Sequence, residues 1–428
     1  MNAPEYSLPL DNAIALKDAR RWLLLGVVAL GVAGLFAGVL ANTNSPFFYK
    51  ALVVHVDLSV LVWFLAVACM FFTLAGKGRG FRVVADASFY CFAAGTILIA
   101  ASAFTAGEAY MSNYIPVIHH PLFFLGLSLL LCGVLGSIGN MGQLPAGNIQ
   151  LFGVHSAAWI MLIAIVCFIW SQHTLPTTMT GQIYYEYAFW GGGHVLQFVH
   201  TQLMLVCWLW LASATGINTS MGHTVGKALY AIGLLSALAG LGVYFVHDAA
   251  SDAHRSVFTE IMKRINGIAP LLLGAHILLL SFTSAKAETR LAKVTLLASI
   301  ILFTAGGALG YMIAGSNVTV PAHYHGSIVG ITLAFMGVAY LLLPHFGYRD
   351  VSQSKLALWQ PIIYGGGQLC WMAGMAILGA HGVPRKTPGS ADTIGALASF
   401  LKHGGDGLAL IGGLLFVFVV LRAVYKKH

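Results

Sequence analysis

The chain has 428 residues, of which 58% are hydrophobic and only 8% are charged, and its mean hydropathy is +0.82. A soluble protein of this composition would have too few polar side chains to cover its surface, so a soluble enzyme is excluded. The formal net charge of +8 comes from 22 Lys and Arg against 14 Asp and Glu. In a membrane protein such basic residues orient the loops, so they do not indicate nucleic-acid binding.

Twelve apolar stretches are each long enough to cross the ~30 Å hydrocarbon core of a bilayer, which takes about 20 helical residues. They lie at residues 21–41, 50–76, 83–106, 117–138, 150–171, 187–213, 226–247, 256–283, 291–314, 322–344, 357–380 and 396–422. The polar residues 1–20 form a tail before the first span, without the pattern of a cleaved signal peptide. The sequence therefore predicts an all-α polytopic membrane protein in which residues 1–428 form a single twelve-helix domain.

Lys and Arg are divided unevenly between the two sides that these spans define. Fifteen of them lie on the side that carries both termini and seven lie on the other side. By the positive-inside rule both termini, including the tail 1–20, are predicted to be cytoplasmic. This polarity gives each histidine a depth in the membrane.

Five histidines fall in the outer half of four spans. His55 lies near the start of span 2, His194 in the first third of span 6 and His247 at the end of span 7. His323 and His325 lie at the start of span 10. A single buried histidine is usually a hydrogen-bonded packing residue, but five at one depth indicate function. Since neutral imidazole binds heme iron, copper and non-heme iron, this group predicts more than one metal centre.

The pair His323 and His325 constrains the arrangement of these centres. Residues two apart on a helix are separated by about 200°, so the two rings cannot bind the same metal atom. Two hemes on opposite sides of span 10 fit the pair. One heme then needs a second axial ligand, which His55 lies at the right depth to supply. The other heme would keep an open position facing His194 and His247.

Several segments resemble motifs of one family. Residues 319–325, TVPAHYH, are similar to the helix 10 motif V-A-H-F-H-Y of the heme-copper oxidase superfamily catalytic subunit, a twelve-helix protein with a low-spin heme, a high-spin heme and a non-heme metal. The resemblance covers nearly the whole chain. It implies that His323 binds the high-spin heme and that His325 binds the low-spin heme.

Three further segments extend the resemblance. Residues 55–58, HVDL, are similar to the H-x-N of the nitric oxide reductase and C-type oxidase branches, which implies that His55 is the other ligand of the low-spin heme. Residues 190–194, WGGGH, resemble the W-x-x-G-H opening of helix 6, whose histidine, here His194, binds the non-heme metal. Residues 381–386, HGVPRK, resemble the G-M-P-R-R segment, which implies that Arg385 and Lys386 hold heme propionates unless they belong to a solvated loop.

One departure from the family concerns the non-heme metal. Most members end helix 7 in His-His, both of them ligands, where this chain has His247-Asp248. We expect Asp248 to bind the metal directly or through one water, because a carboxylate at the edge of a span is costly unless a cation neutralises it. Asp248 could instead cap a helix or pair with Arg255. In that case Gln197 or Glu260 would be the next candidate ligands.

A second departure concerns the tyrosine that oxygen-reducing members join covalently to a metal-binding histidine. A-type and B-type members place it four residues after the helix 6 histidine, where this chain has Phe198. Tyr230 lies short of the C-type register at the inner beginning of helix 7, and Tyr244, three residues before His247, matches neither pattern. The reduction of nitric oxide has no O–O bond to split, so a site without this tyrosine favours it.

The resemblance and its departures predict the catalytic subunit of a nitric oxide reductase in a bacterial cytoplasmic membrane. The implied cofactors are a low-spin heme and a high-spin heme, both expected to be b-type, and one copper or iron ion. The chain has no CxxCH motif, so electrons are expected from a partner subunit of cytochrome c or cupredoxin type, or from quinol. The main alternative is an oxygen-reducing terminal oxidase. A heme or copper transfer and sensing protein would have no use for His-x-His, and a transporter built from inverted repeats would need matching halves.

Overall fold

The computed structural model describes residues 6–40, 45–76, 81–142, 147–217, 219, 221–281, 289–385 and 395–425. In this part of the chain, twelve helices are long and apolar enough to cross a membrane, which confirms the predicted fold of a multi-pass membrane protein. They are α1 (Ala13–Val39), α2 (Phe48–Ala75), α3 (Arg82–Ser102), α4 (Pro121–Gly139), α5 (Ile149–Thr174), α6 (Trp190–Ala214), α7 (His223–Val243), α8 (Asp252–Ser281), α9 (Arg290–Tyr311), α10 (Thr319–Leu342), α11 (Lys355–Ala380) and α12 (Ala396–Tyr425).

The connections between these helices contain structure that hydropathy does not predict. Between α3 and α4, strands β1 (Glu108–Tyr110) and β2 (Val117–His119) pair antiparallel, with Ala109 opposite Ile118. A short helix, Gly181–Ala188, precedes α6. Two long helices also contain a π-helical turn, Asp57–Val62 in α2 and Met262–Asn266 in α8. π-Helical turns are frequent at functional sites.

Two predicted boundaries shift beside the candidate metal site. Helix α7 ends at Val243 rather than at residue 247, so His247 and Asp248 lie in a turn after the helix. Helix α8 begins at Asp252 rather than at residue 256, because the Ser251 side chain accepts a hydrogen bond from the backbone N–H of His254 and caps the helix. The earlier start adds one more histidine to the first turn of α8.

Three of the twelve helices are much more buried than the rest. Within the most apolar 18-residue stretch of each helix, the buried share is 83% in α2, 94% in α6 and 78% in α10. In the other nine helices that the structure describes, it is 28–50%. These three helices carry His55, His194, His323 and His325. Most of the candidate ligands therefore belong to the three most buried helices.

The chain divides into two compact units. In the first, residues 6–206 and 220–270, α1 packs against α2, α3 against α4 and α5 against α7. In the second, residues 207–219 and 271–428, α9 packs against α10 and α11 packs against α12. The single twelve-helix domain stays a prediction.

Candidate heme and metal site

His323 and His325 leave α10 in different directions. The Nδ1 atom of His323 lies 2.7 Å from the carbonyl oxygen of Gly306 on α9, and the ring covers Gly310, where a Cβ atom would lie 2.7 Å from Nδ1. The ring of His325 packs against Trp371 on α11, with centroids 4.1 Å apart. The two imidazoles thus face different neighbouring helices, as a separation of two residues on one helix requires.

His55 on α2 is fixed by the neighbouring helix. Its Nδ1 atom lies 2.9 Å from the carbonyl oxygen of Ala33 on α1. Two residues later the Asp57 carboxylate is buried, and neither of its oxygens has a hydrogen-bond partner in the part of the chain that the structure describes. The orientation of His55 is therefore set by the backbone of α1.

Arg385 lies beside the start of α10. Its Nε atom donates to Ser316 Oγ at 3.0 Å, and the backbone N–H of Val318 donates to the Val383 carbonyl at 3.0 Å. The segment after α11 is thereby held against the helix that carries His323 and His325. Lys386 lies outside the described residues.

His194 on α6 has partners at both ring nitrogens. Its Nδ1 atom lies 2.9 Å from the Trp190 carbonyl oxygen, and its Nε2 atom lies 3.0 Å from the Tyr114 hydroxyl. Tyr114 lies between the two short strands, and its ring covers Gly193, where any Cβ atom would collide with it. Glycine at position 193 is thus needed for Tyr114 to reach His194.

His247 and Asp248 line an open cavity of about 300 Å³, together with Trp170 and Tyr244. The Asp248 side chain is exposed, and one of its carboxylate oxygens accepts a hydrogen bond from the backbone N–H of Ala250 at 2.8 Å. Arg255, the alternative partner of Asp248, has its Nη1 atom 3.7 Å from Asp252 Oδ1 instead. Its guanidinium group lies over the Trp190 ring. Asp248 therefore stabilises its own turn, and its role as a metal ligand stays a prediction.

A histidine that the sequence does not single out, His254, lies next to this cavity, with its ring 4.6 Å from that of Tyr244. His254, in the first turn of α8, is fully buried, and neither of its ring nitrogens has a hydrogen-bond partner among the described residues. Its ring lies 4.9 Å from that of Phe258, and the His194 ring lies 5.6 Å from the same phenyl ring. The serine cap at position 251 was the sequence signal that could have placed His254 inside the helix.

The tyrosines near the site have separate partners. Position 198 of α6 is a fully buried phenylalanine, whose ring carries no hydroxyl. Tyr230 donates to Gln150 Oε1 at 2.6 Å, and the Tyr244 hydroxyl contacts Ser171 Oγ and the Cys167 carbonyl. The Tyr114 hydroxyl, in contrast, contacts His194.

The chemistry of these residues fits hemes and a non-heme metal. A metal-binding histidine usually donates its second N–H to a carbonyl or carboxylate group, which fixes the tautomer. The Nδ1 atoms of His55, His194 and His323 each lie on a backbone carbonyl, which places the lone pair on Nε2. On His194 this lone pair accepts a hydrogen bond from the Tyr114 hydroxyl, which a metal ion would have to displace. Within the described residues no three His, Cys, Asp or Glu side chains already stand close enough to hold one ion.

Comparisons with known proteins agree with this chemistry. The family model for cytochrome c and quinol oxidase polypeptide I matches residues 18–402. The chain therefore belongs to the family of heme-copper oxidase subunit I. It is a membrane oxidoreductase of a family that generally binds two hemes and a metal.

The chain also resembles individual proteins. An uncharacterized protein of Rickettsia prowazekii (strain Madrid E) is 27% identical over 95% of this chain and 96% of its own length. An uncharacterized protein of Aquifex aeolicus (strain VF5) is 27% identical over 77% of this chain and 85% of its own length. A heme-copper terminal oxidase dimer, solved by cryo-electron microscopy, contains a chain with a TM-score of 0.68 and 18% identity, over 97% of this chain and 84% of that one. This last likeness supports the fold.

Proposed function

We propose that this protein is the catalytic subunit of a nitric oxide reductase. The reaction joins two NO molecules with two electrons and two protons to give one N₂O and one H₂O. In the proposal His55 and His325 hold the low-spin heme, His323 holds the high-spin heme, and His194, His247 and Asp248 hold the non-heme metal. Arg385 and Lys386 bind heme propionates.

The observation that carries the choice of nitric oxide is Phe198. Its side chain is fully buried on α6, four residues after His194, where oxygen-reducing relatives are expected to carry a tyrosine. A phenyl ring supplies neither a proton nor a readily removed electron. Formation of an N–N bond does not require this contribution, whereas O–O cleavage does.

The chain's own residues orient the reacting groups. When bound, the two hemes and the non-heme metal would supply electron transfer and electrostatic stabilisation of developing negative charge. The carbonyls of Ala33, Trp190 and Gly306 fix the histidine tautomers, so that Nε2 rather than Nδ1 is presented. Asp248, next to His247, adds a negative charge that lowers the net charge of a metal site.

Oxygen reduction is the second candidate, and Tyr114 favours it. Its hydroxyl lies 3.0 Å from His194 Nε2, so this tyrosine is close enough to pass a proton to a molecule bound beside that histidine. The loop that carries Tyr114 is fixed by a hydrogen bond of 3.1 Å from the backbone N–H of Asn113 to Glu186. Tyr114 is therefore the first tyrosine to mutate.

A comparison of the two gases tests the proposal. The purified complex, supplied with an artificial electron donor, should consume NO faster than O₂, and Tyr114→Phe should leave NO consumption largely intact. Rapid consumption of oxygen to water without NO turnover, abolished in Tyr114→Phe, would establish the second candidate instead.

We further propose that the hemes are b-type and that the protein lies in a bacterial cytoplasmic membrane with both termini inside. Electrons would come from a cytochrome c or cupredoxin subunit or from quinol, since the chain has neither a CxxCH motif nor a soluble copper domain. Copper and iron are both compatible with a site rich in imidazole. Metal analysis of the purified complex separates the two.

A further inference from the structure

We infer that His254 is a third imidazole ligand of the non-heme metal, in the place where most of the family has the second histidine of the helix 7 pair. The inference rests on the proposed function, because it concerns the metal site of that reaction. It assigns a role to a residue on α8 rather than on α7.

The first support is the state of the His254 side chain. It is fully buried, and among the residues that the structure describes neither Nδ1 nor Nε2 has a hydrogen-bond partner. An unpaired buried polar group costs roughly 1–3 kcal/mol, so a buried imidazole normally has a partner. His155, by comparison, has a carbonyl oxygen beside each ring nitrogen, those of Leu151 and Gly142, and its N–H can donate to one of them. A metal ion would provide the partner that His254 lacks.

The second support is the position of His254 among the other proposed ligands. The rings of His194 and His254 contact the same Phe258 ring, with centroids 5.6 Å and 4.9 Å away. The His254 ring also lies 4.6 Å from the ring of Tyr244, which lines the same cavity as His247 and Asp248. Four potential donors from α6, α8 and the turn between α7 and α8 therefore lie in one neighbourhood.

The connection between α7 and α8 allows these donors to share an ion. Residues 244–251 form turns rather than a continuous helix. Because no three possible ligands of the described residues already stand close enough to hold one ion, the inference requires this segment to bring His247 closer to the other imidazoles when the metal binds. Asp248 already uses one carboxylate oxygen to cap this turn. Its second oxygen remains available to act on the metal through one water or to accept an N–H of His254, as carboxylates beside metal-binding histidines do.

Metal content of the complete purified complex tests the inference. Wild type, His254→Ala, His254→Gln, His254→Cys and a control, His200→Leu, are compared for non-heme metal per heme and for the low-spin heme spectrum. His200 is a suitable control because it is also a buried histidine of the same unit, packed against Phe64, with Nδ1 unpaired. The heme spectrum reports whether each variant folds.

We expect His254→Ala and His254→Gln to lose the metal while both hemes remain. The affinity for the metal should fall by more than ~10–100-fold, which is the typical effect of removing a residue that only orients a ligand. His254→Cys should retain metal, since a thiolate can replace imidazole as a ligand, whereas a role in packing alone gives no reason for this rescue. The control should keep its metal. Full metal occupancy in His254→Ala with both hemes retained would overturn the ligand assignment alone, whereas a wild-type complex without non-heme metal would overturn the proposed function as well.

Discussion

Three of the proposed ligand histidines share one local device, which is a backbone carbonyl at Nδ1. Ala33, Trp190 and Gly306 provide these carbonyls at 2.9, 2.9 and 2.7 Å. Each bond selects the tautomer with a lone pair on Nε2 and fixes the ring before any metal arrives. The backbone of the neighbouring or the same helix thus preorganises the ligands.

The clearest consequence concerns His55. Changing His55 to Ala removes one proposed axial ligand of the low-spin heme without touching His323, so the six-coordinate spectrum should disappear while CO still binds the other heme. Optical spectra of the reduced complex, with and without CO, check this. His155→Ala is the control, since the carbonyl partners of His155 indicate a packing role. An intact low-spin signature in His55→Ala would refute the assignment.

Asp248 gives a second prediction at this scale. Asparagine can still accept the hydrogen bond from Ala250 N–H, so Asp248→Asn keeps the turn and removes only the charge. If the carboxylate acts on the metal, affinity should fall by ~10–100-fold while both heme spectra persist. Elemental analysis of the purified variant measures the loss. Full metal occupancy and turnover would make Asp248 a turn cap and nothing more.

The sequence motifs placed the histidine candidates, but they could not find the contacts made by Tyr114 and His254. Tyr114 lies between two three-residue strands, and it reaches His194 only because glycine occupies position 193. His254 lies in a polar segment that hydropathy assigns to a loop. Its burial depends on the Ser251 cap, which starts α8 four residues earlier than the apolar stretch indicates. The positions of Tyr114 and His254 therefore depend on side-chain packing and helix capping, which hydrophobic periodicity does not predict.

Among the helices, α11 and α12 depend on close approach at glycine. A Cβ atom at Gly405 of α12 would collide with the backbone of Trp371 on α11 and lie 2.7 Å from the Gly367 carbonyl oxygen. Trp371 is the residue that packs against His325. Through Trp371, the packing of α12 on α11 therefore affects the position of His325, a proposed heme ligand.

Gly405→Ala should therefore separate α11 from α12 and disturb His325. We expect a loss of ~1–3 kcal/mol of stability, as for other overpacked interiors, together with a changed low-spin heme spectrum. Gly404→Ala is the matched control, because nothing lies within 4 Å of a Cβ atom there and alanine favours a helix over glycine. Thermal unfolding in detergent and optical spectra test both variants. Equal behaviour of the two would contradict the packing account.

The twelve helices were predictable as elements because each is a long apolar run, and their number is confirmed in the part of the chain that the structure describes. Their ends were less predictable. Residues 244–247 are apolar enough to continue α7, yet they form turns in the structure. The two π-helical turns likewise have no hydropathy signature. Local hydrogen bonding decides such features, and apolar length does not.

For the whole molecule, the uneven distribution of Lys and Arg predicts the orientation in the membrane. Fifteen basic residues lie on the side of the termini and seven on the other, so a fluorescent protein fused after residue 428 should fold and fluoresce in the cytoplasm. Alkaline phosphatase fused after Leu175, between α5 and α6, should be active outside. The opposite pattern would reverse the topology and place the histidines in the inner half of the membrane.

The yield of N₂O from ¹⁵NO under strict exclusion of oxygen tests the central claim most directly. A purified complex that contains two hemes and one non-heme metal, supplied with an artificial electron donor, should form ¹⁵N₂O at half the molar amount of the ¹⁵NO consumed. Failure to consume ¹⁵NO in a complex with all three cofactors, alongside rapid reduction of oxygen, would contradict the account and assign the protein to oxygen respiration.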